Sequence, residues 1–163
     1  MRTVTVALDG TEFGERALVL GARLAQATNT KLRLAHIASE PGYEPETNAA
    51  WYVREVASRL MSNEQVDVEV RVGDPAEELV RLTEESTDGA LVMATHGRGT
   101  IGRLVHGSVA RDVLLGAKSP VLLVREDTSQ QPTDPMTLLV PLDGSEIAED
   151  ALSAAAVIAQ DTG

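Results

Sequence analysis

Residues 90–124 read ALVMATHGRGTIGRLVHGSVARDVLLGAKSPVLLV. Two apolar runs, ALVMA and PVLLV, enclose a glycine-rich passage and one short helical pattern, the order of strand, loop, helix and strand. Gly97, Gly99 and Gly102 spell G-x-G-x-x-G, the fingerprint of dinucleotide-binding loops, and Glu126 stands just past the second run, about where such a site wants an acid for the ribose. The spacing to Gly107 weighs against that reading. A dinucleotide helix starts within its glycine motif, which would bury Gly107 in a helix interior at a cost of roughly 1 kcal/mol relative to Ala. Ser108, by contrast, is a good N-cap. The helix is therefore predicted from Ser108 to about Leu115, stopped by Gly116, with residues 97–106 as a loop or short helical turn over a crevice.

Working outward, the uninterrupted run Ala90 to Ala94 suits a central parallel strand buried on both faces. Upstream, Thr3 to Leu8 (TVTVAL) reads as a strand ending at Asp9-Gly10, Lys31 to Ala38 (KLRLAHIA) and Val66 to Val72 (VDVEVRV) alternate as strands, and Pro120 to Val124 makes a fifth. Helical periodicity covers Glu12 to Ala27 and about Thr47 to Met61. A further helix opens at Asp74-Pro75 and runs to about Glu85, with Asp as cap and Pro at the first helical position.

Five strands linked by helices call for a doubly wound parallel α/β sheet, for which we choose the order 3-2-1-4-5. In that order the chain reverses its direction of growth between strands one and four and opens a ligand crevice at their carboxyl ends. Asp9 and the loop from Thr95 to Gly107 both belong there. Gly97 lets the backbone leave strand four sharply, and Gly107 lets the chain approach an anion at the next helix. The amides of Ser108, Val109 and Ala110, the Ser108 hydroxyl and the helix dipole then suit phosphate groups. A plain turn and N-cap would use the same residues. Arg98, Arg103 and Arg111 gather around this stretch, as an anion site or as a solvated helix edge.

Composition bounds the function. The 163 residues suffice for one domain and a remainder, and the absence of cysteine removes disulfides, thiolate metal sites and thiol nucleophiles. A net charge of -11 disfavours nucleic acid and anionic lipid. No stretch has signal-peptide or membrane-spanning character, so a cytoplasmic protein is expected. His36, His96 and His106 lack the spacing of a helical metal pair, and His36 reads as a pocket-edge or core residue. Glu12 and Glu15 read as first-turn acids, and Asp9 alone could be a simple turn residue. With no nucleophile–base constellation, efficient turnover is not expected.

The Asp-Gly after strand one, with ATHGRGTIGRLVHGSVARDVLLGAKSPVLLV, resembles the universal stress protein family over Thr3 to Arg125. Nucleotide-binding members carry G-x-x-G, nine residues, then G-S or G-T. Here Ala94 takes the first glycine position, Gly97 the second, RGTIGRLVH fills the nine, and Gly107-Ser108 complete it. The resemblance implies the same sheet order, a homodimer through strand five, and ATP or a related adenine nucleotide in the crevice, with or without Mg2+. It implies that Asp9 bonds adenine or ribose, Ile37 flanks the adenine, Met93, Ala94 and Thr95 line the pocket, and Gly97, Gly107, Ser108 and Val109 hold the phosphates. Ala7 and Arg98 complete the set. Two positions depart from the pattern: Ala94 adds a methyl group where the leading glycine stands, and Ala7 sits where a proline often precedes the Asp. The function implied is an adenine-nucleotide-binding signalling or stress-response dimer. A ligand-free interaction module and a slow ATPase are the alternatives.

The tail repeats the start. Thr137 to Thr162 (TLLVPLDGSEIAEDALSAAAVIAQDT) answers Thr3 to Thr28 (TVTVALDGTEFGERALVLGARLAQAT) without a gap. The expected organisation is a domain over 1–126, a linker over 127–136, and over 137–163 the first strand and helix of a truncated second domain. Such a lone central strand, Leu138 to Leu142, is expected to dock on the strand-five edge or to exchange with a partner chain.

Overall fold

The computed structural model describes residues 1–38, 45–60, 66–95, 107–125, 138–140 and 142–162. Five parallel strands, β1 (Thr3–Leu8), β2 (Lys31–Ala38), β3 (Val66–Val72), β4 (Ala90–Thr95) and β5 (Val121–Arg125), form one sheet in the order β3-β2-β1-β4-β5. The expected order is the observed one. Helices α1 (Ala17–Ala27) and α2 (Pro45–Arg59) pack on one face, and α3 (Pro75–Glu85) packs with α4 (Ser108–Gly116) on the other. A last helix, α5 (Glu146–Thr162), lies against α1.

Central position explains composition. Val6 of β1 is flanked by Leu34 and Val92 in the ladders, and all three are fully buried. Alternate residues feed the two cores: Val4, Val6, Leu32, Leu34 and Val92 meet Leu24, Val53 and Val56, whereas Ala35, Leu91 and Met93 meet Leu79, Leu82, Ala110 and Val113. The edge strand β3 is guarded by charge. Arg71 pairs with Glu69, Glu78 and Glu85, and Arg33 reaches Glu69 at 3.4 Å, so this edge offers ion pairs rather than a bare apolar ladder.

Local signals set most boundaries. At α3 the Asp74 Oδ1 accepts from the amides of Ala76 (2.9 Å) and Glu77 (3.0 Å), with Pro75 as the first helical residue, as the sequence predicts. Asp74→Ala should lower unfolding free energy by about 1 kcal/mol, read as a shift of the urea midpoint at unchanged slope. The first helix starts later than expected. Thr11 donates to Asp9, Gly14 donates its amide to the Thr11 hydroxyl, and a short 3-10 turn at Gly14–Arg16 precedes α1. Glu15 is therefore no first-turn acid of α1; it pairs with Arg59 at 3.1 Å.

Of the two arrangements expected for the tail, addition to the β5 edge is not seen among the described residues. Leu138–Val140 carries no strand pairing, and among the described residues the sheet ends at β5. Leu139 is 91% exposed. The helical half docks instead: Ile158 is only 8% exposed and joins the core beneath α1 and α2. A first strand needs parallel neighbours on both sides, whereas an apolar helix face needs only another helix.

Candidate functional site

A cavity of about 360 Å3 opens at the carboxyl ends of the strands, where growth of the sheet reverses between β1 and β4. The end of β1 contributes Ala7, Leu8 and Asp9, β2 contributes Ala35, His36 and Ile37, and β4 contributes Met93, Ala94 and Thr95. Gly107, Ser108, Val109 and Ala110 close one side, and Pro75 and Leu79 of α3 close another. Gly97 and Arg98, and the expected loop over residues 97–106, lie outside the described residues.

Asp9 sits in a tight turn. Its Oδ1 accepts from the Thr11 amide (2.9 Å) and the Thr11 hydroxyl (2.7 Å), and Gly10 at φ 81° takes the left-handed conformation the turn requires. Its second carboxylate oxygen has no partner among the described residues and can accept from a ligand N–H or O–H. Gly14, which sequence periodicity had placed inside a helix, backs this carboxylate so closely that a Cβ there would stand 2.1 Å from Oδ1. The His36 ring meets the Leu8 carbonyl at 2.8 Å and the edge of Tyr52. The Tyr52 hydroxyl is enclosed and without a hydrogen-bond partner among the described residues. Burial, then the nearby Glu15 carboxylate, then Asp9, push its pKa up to about 12.

Opposite Asp9 stands the amino end of α4. The N-cap is Gly107, not Ser108, and among the described residues no side chain caps the helix. The first helical bond runs from the Arg111 amide to the Gly107 carbonyl (3.1 Å), so the amides of Ser108, Val109 and Ala110 have no acceptor within the helix. Gly107 adopts φ -51° and ψ 151°, which any residue can take, and among the described residues no atom lies within 4 Å of a Cβ placed there. Conformational freedom is thus not the reason for this glycine. It lines the cavity beside the helix end. Arg111 does not line the cavity; its guanidinium pairs with Asp112 at 2.9 Å on the helix surface.

The arrangement offers apolar walls for a flat ring (Ala35, Ile37, Leu79, Met93), a carboxylate acceptor, and a helix dipole with free amides for an anion. Sequence reasoning missed Leu8, Gly14, Ala35, Pro75 and Leu79. The Asp74-Pro75 pair was legible as a helix start, and the carboxyl end of β3 points toward the same crevice, but its reach to the cavity is a matter of packing. No group of acidic or imidazole side chains fit to hold a metal occurs among the described residues. No described helix is long and apolar enough to cross a membrane.

Comparison with known proteins places the fold and site in context. Residues 1–125 match the universal stress protein family. A universal stress protein of Thermus aquaticus is 30% identical over 135 residues, covering 76% of this chain and 98% of the relative. One from Mycobacterium bovis is 27% identical over 173 residues, covering 93% of this chain, which spans 58% of that relative's length. Among solved structures, a universal stress protein in complex with cAMP is 32% identical at a TM-score of 0.61, covering 76% of this chain and 96% of its own. The Archaeoglobus fulgidus protein in complex with dAMP, 23% identical at a TM-score of 0.57 with the same two coverages, shares the fold.

Proposed function

Because the chain belongs to the universal stress protein family, we propose that it binds an adenine nucleotide in the cavity at the carboxyl ends of β1 and β4. The observation that carries this reading is the pairing, across one cavity, of the Asp9 carboxylate with the uncapped amino end of α4. The similar protein that holds cAMP supports the base and the phosphate chemistry. In this reading Asp9 accepts from the ribose or the adenine amine, Ile37 and Met93 flank the base with Ala7, Ala94 and Thr95 along the wall, and Gly107, Ser108 and Val109 take the phosphates. Gly97 and Arg98 belong to the same set by motif. ATP is the expected ligand class, and Mg2+ would arrive with the phosphates rather than on a protein site. We read binding rather than rapid hydrolysis as the function, since among the described residues lining the cavity no side chain is paired as nucleophile and base. We place the protein in the cytoplasm as a signalling or stress-response dimer, with the outer edge of β5 as the contact: Val121, Leu122 and Leu123 there are only partly covered.

The tail fits a second unit of the same kind. Gly144 at φ 82° matches Gly10 at φ 81°, and the Ser145 amide bonds the Asp143 Oδ1 at 2.9 Å as the Thr11 amide bonds Asp9. The domain boundaries 1–126, 127–136 and 137–163 follow from that repeat.

Gly107→Val tests the site. At φ -51° and ψ 151° valine is tolerated by the backbone, and its side chain adds bulk at a residue that lines the cavity. Calorimetry with ATP and with AMP, each with and without Mg2+, should give one site in the wild type and at least a tenfold loss in Gly107→Val at unchanged Tm. No binding by the wild type, or an unaffected variant, overturns the proposal.

A further inference from the structure

Leu8 and His36 are ladder partners at the point where β1 and β2 part company. β1 turns away at Asp9 and Gly10, while β2 continues beside β3 to the Ala38–Val72 pair. The Leu8 carbonyl therefore stands at the end of its ladder, and His36 Nδ1 meets it at 2.8 Å. A carbonyl can only accept, so Nδ1 carries the proton. The ring is held from behind by Tyr52, with centroids 5.9 Å apart and planes at 70°.

That carbonyl belongs to the peptide whose nitrogen is the Asp9 amide. Because the peptide is planar, fixing the Leu8 oxygen fixes the plane from which the Asp9 Cα and side chain depart. The Asp9 carboxylate is then set from its other side by Thr11 and backed by Gly14. Resting on the nucleotide-binding reading above, we propose that His36, besides lining the cavity, is a positioning residue of that site: through the Leu8 carbonyl it orients Asp9 toward the ligand.

A double-mutant cycle separates this role from general support of the fold. AMP affinity is measured by calorimetry for the wild type, His36→Leu, Asp9→Asn and the double variant, and for His36→Asn, whose side-chain amide can place a donor near the Nδ1 position. His36→Leu should weaken binding about tenfold, since one hydrogen bond that orients a charged group is lost. In the Asp9→Asn background the same change should cost no more than about twofold, and His36→Asn should retain most of the affinity. An equal loss in both backgrounds, or no loss in His36→Leu, overturns the proposal. Hydrogen exchange in the nucleotide-free protein gives a second reading: the Thr11 amide, bonded to Asp9, should exchange faster in His36→Leu. If the wild type binds no AMP yet Thr11 loses protection, the nucleotide reading falls and the orienting of Asp9 stands. If Thr11 is unchanged, the orienting role falls whatever the affinity.

Discussion

Gly14→Ala is expected to weaken adenine-nucleotide binding by roughly thirtyfold, or about 2 kcal/mol, the scale of a lost hydrogen bond to a charged group. The added methyl carbon would sit 2.1 Å from Asp9 Oδ1, 2.9 Å from its Cγ and 3.2 Å from its backbone amide. No rotation of the methyl group relieves this, since its position is set by the backbone. The carboxylate must swing away, and both Thr11 bonds to Oδ1 go with it. The 3-10 turn tolerates alanine, so the fold survives while the ligand-facing acid moves. Calorimetry beside a thermal melt checks the claim. An affinity within threefold of the wild type would show that Asp9 has no part in holding the ligand.

The second large effect concerns α5. Ile158→Asp should undock the helix and lower stability by about 3 kcal/mol, since it removes a buried aliphatic group and puts a charge into the core on the α1 side of the sheet. A helix of 17 residues is marginal in water without a packed face, so the amides of 146–162 should lose their exchange protection once undocked. Nucleotide affinity should stay within about twofold because additivity holds for distant sites, and the cavity is continuous with the opposite core, lined by Leu79, Met93 and Ala110. Removing residues 127–163 should bare the same α1 surface and promote self-association. Unchanged protection of 146–162 in Ile158→Asp would mean that Ile158 does not anchor the helix.

Strands with a strong period were legible residue by residue: KLRLAHIA and VDVEVRV form β2 and β3 with the bounds expected of them. The sheet order was chosen as the economical doubly wound arrangement, and it put Asp9 and the loop from Thr95 to Gly107 at one crevice; Ile37 and Met93 came from the family resemblance, and the cavity includes them both. Elements decided by side-chain competition were read less well. The helical period from Glu12 was real, but Asp9 and Thr11 draw the backbone into a turn and α1 waits until Ala17. Gly107 was read from the motif as a point of close approach to an anion, and its torsions show that backbone conformation is no part of the reason for glycine there. Pro75 and Leu79 reach the cavity through packing across the sheet, which no local pattern carries. In the tail the repeat correctly marked a turn and a helix. It could not say that Leu138–Val140 would go without ladder partners while Ile158 found a core.

The most direct measurement of the central claim is a methyl and amide NMR titration with AMP and ATP. Saturable shifts should appear at the methyl groups of Ala7, Ile37, Leu79, Met93 and Val109 and at the amides of Thr11 and Ser108, while Val53 and Ile158 stay in place. No saturable change with either nucleotide, or changes centred on α5 and the α1 face, would contradict nucleotide binding at the ends of β1 and β4.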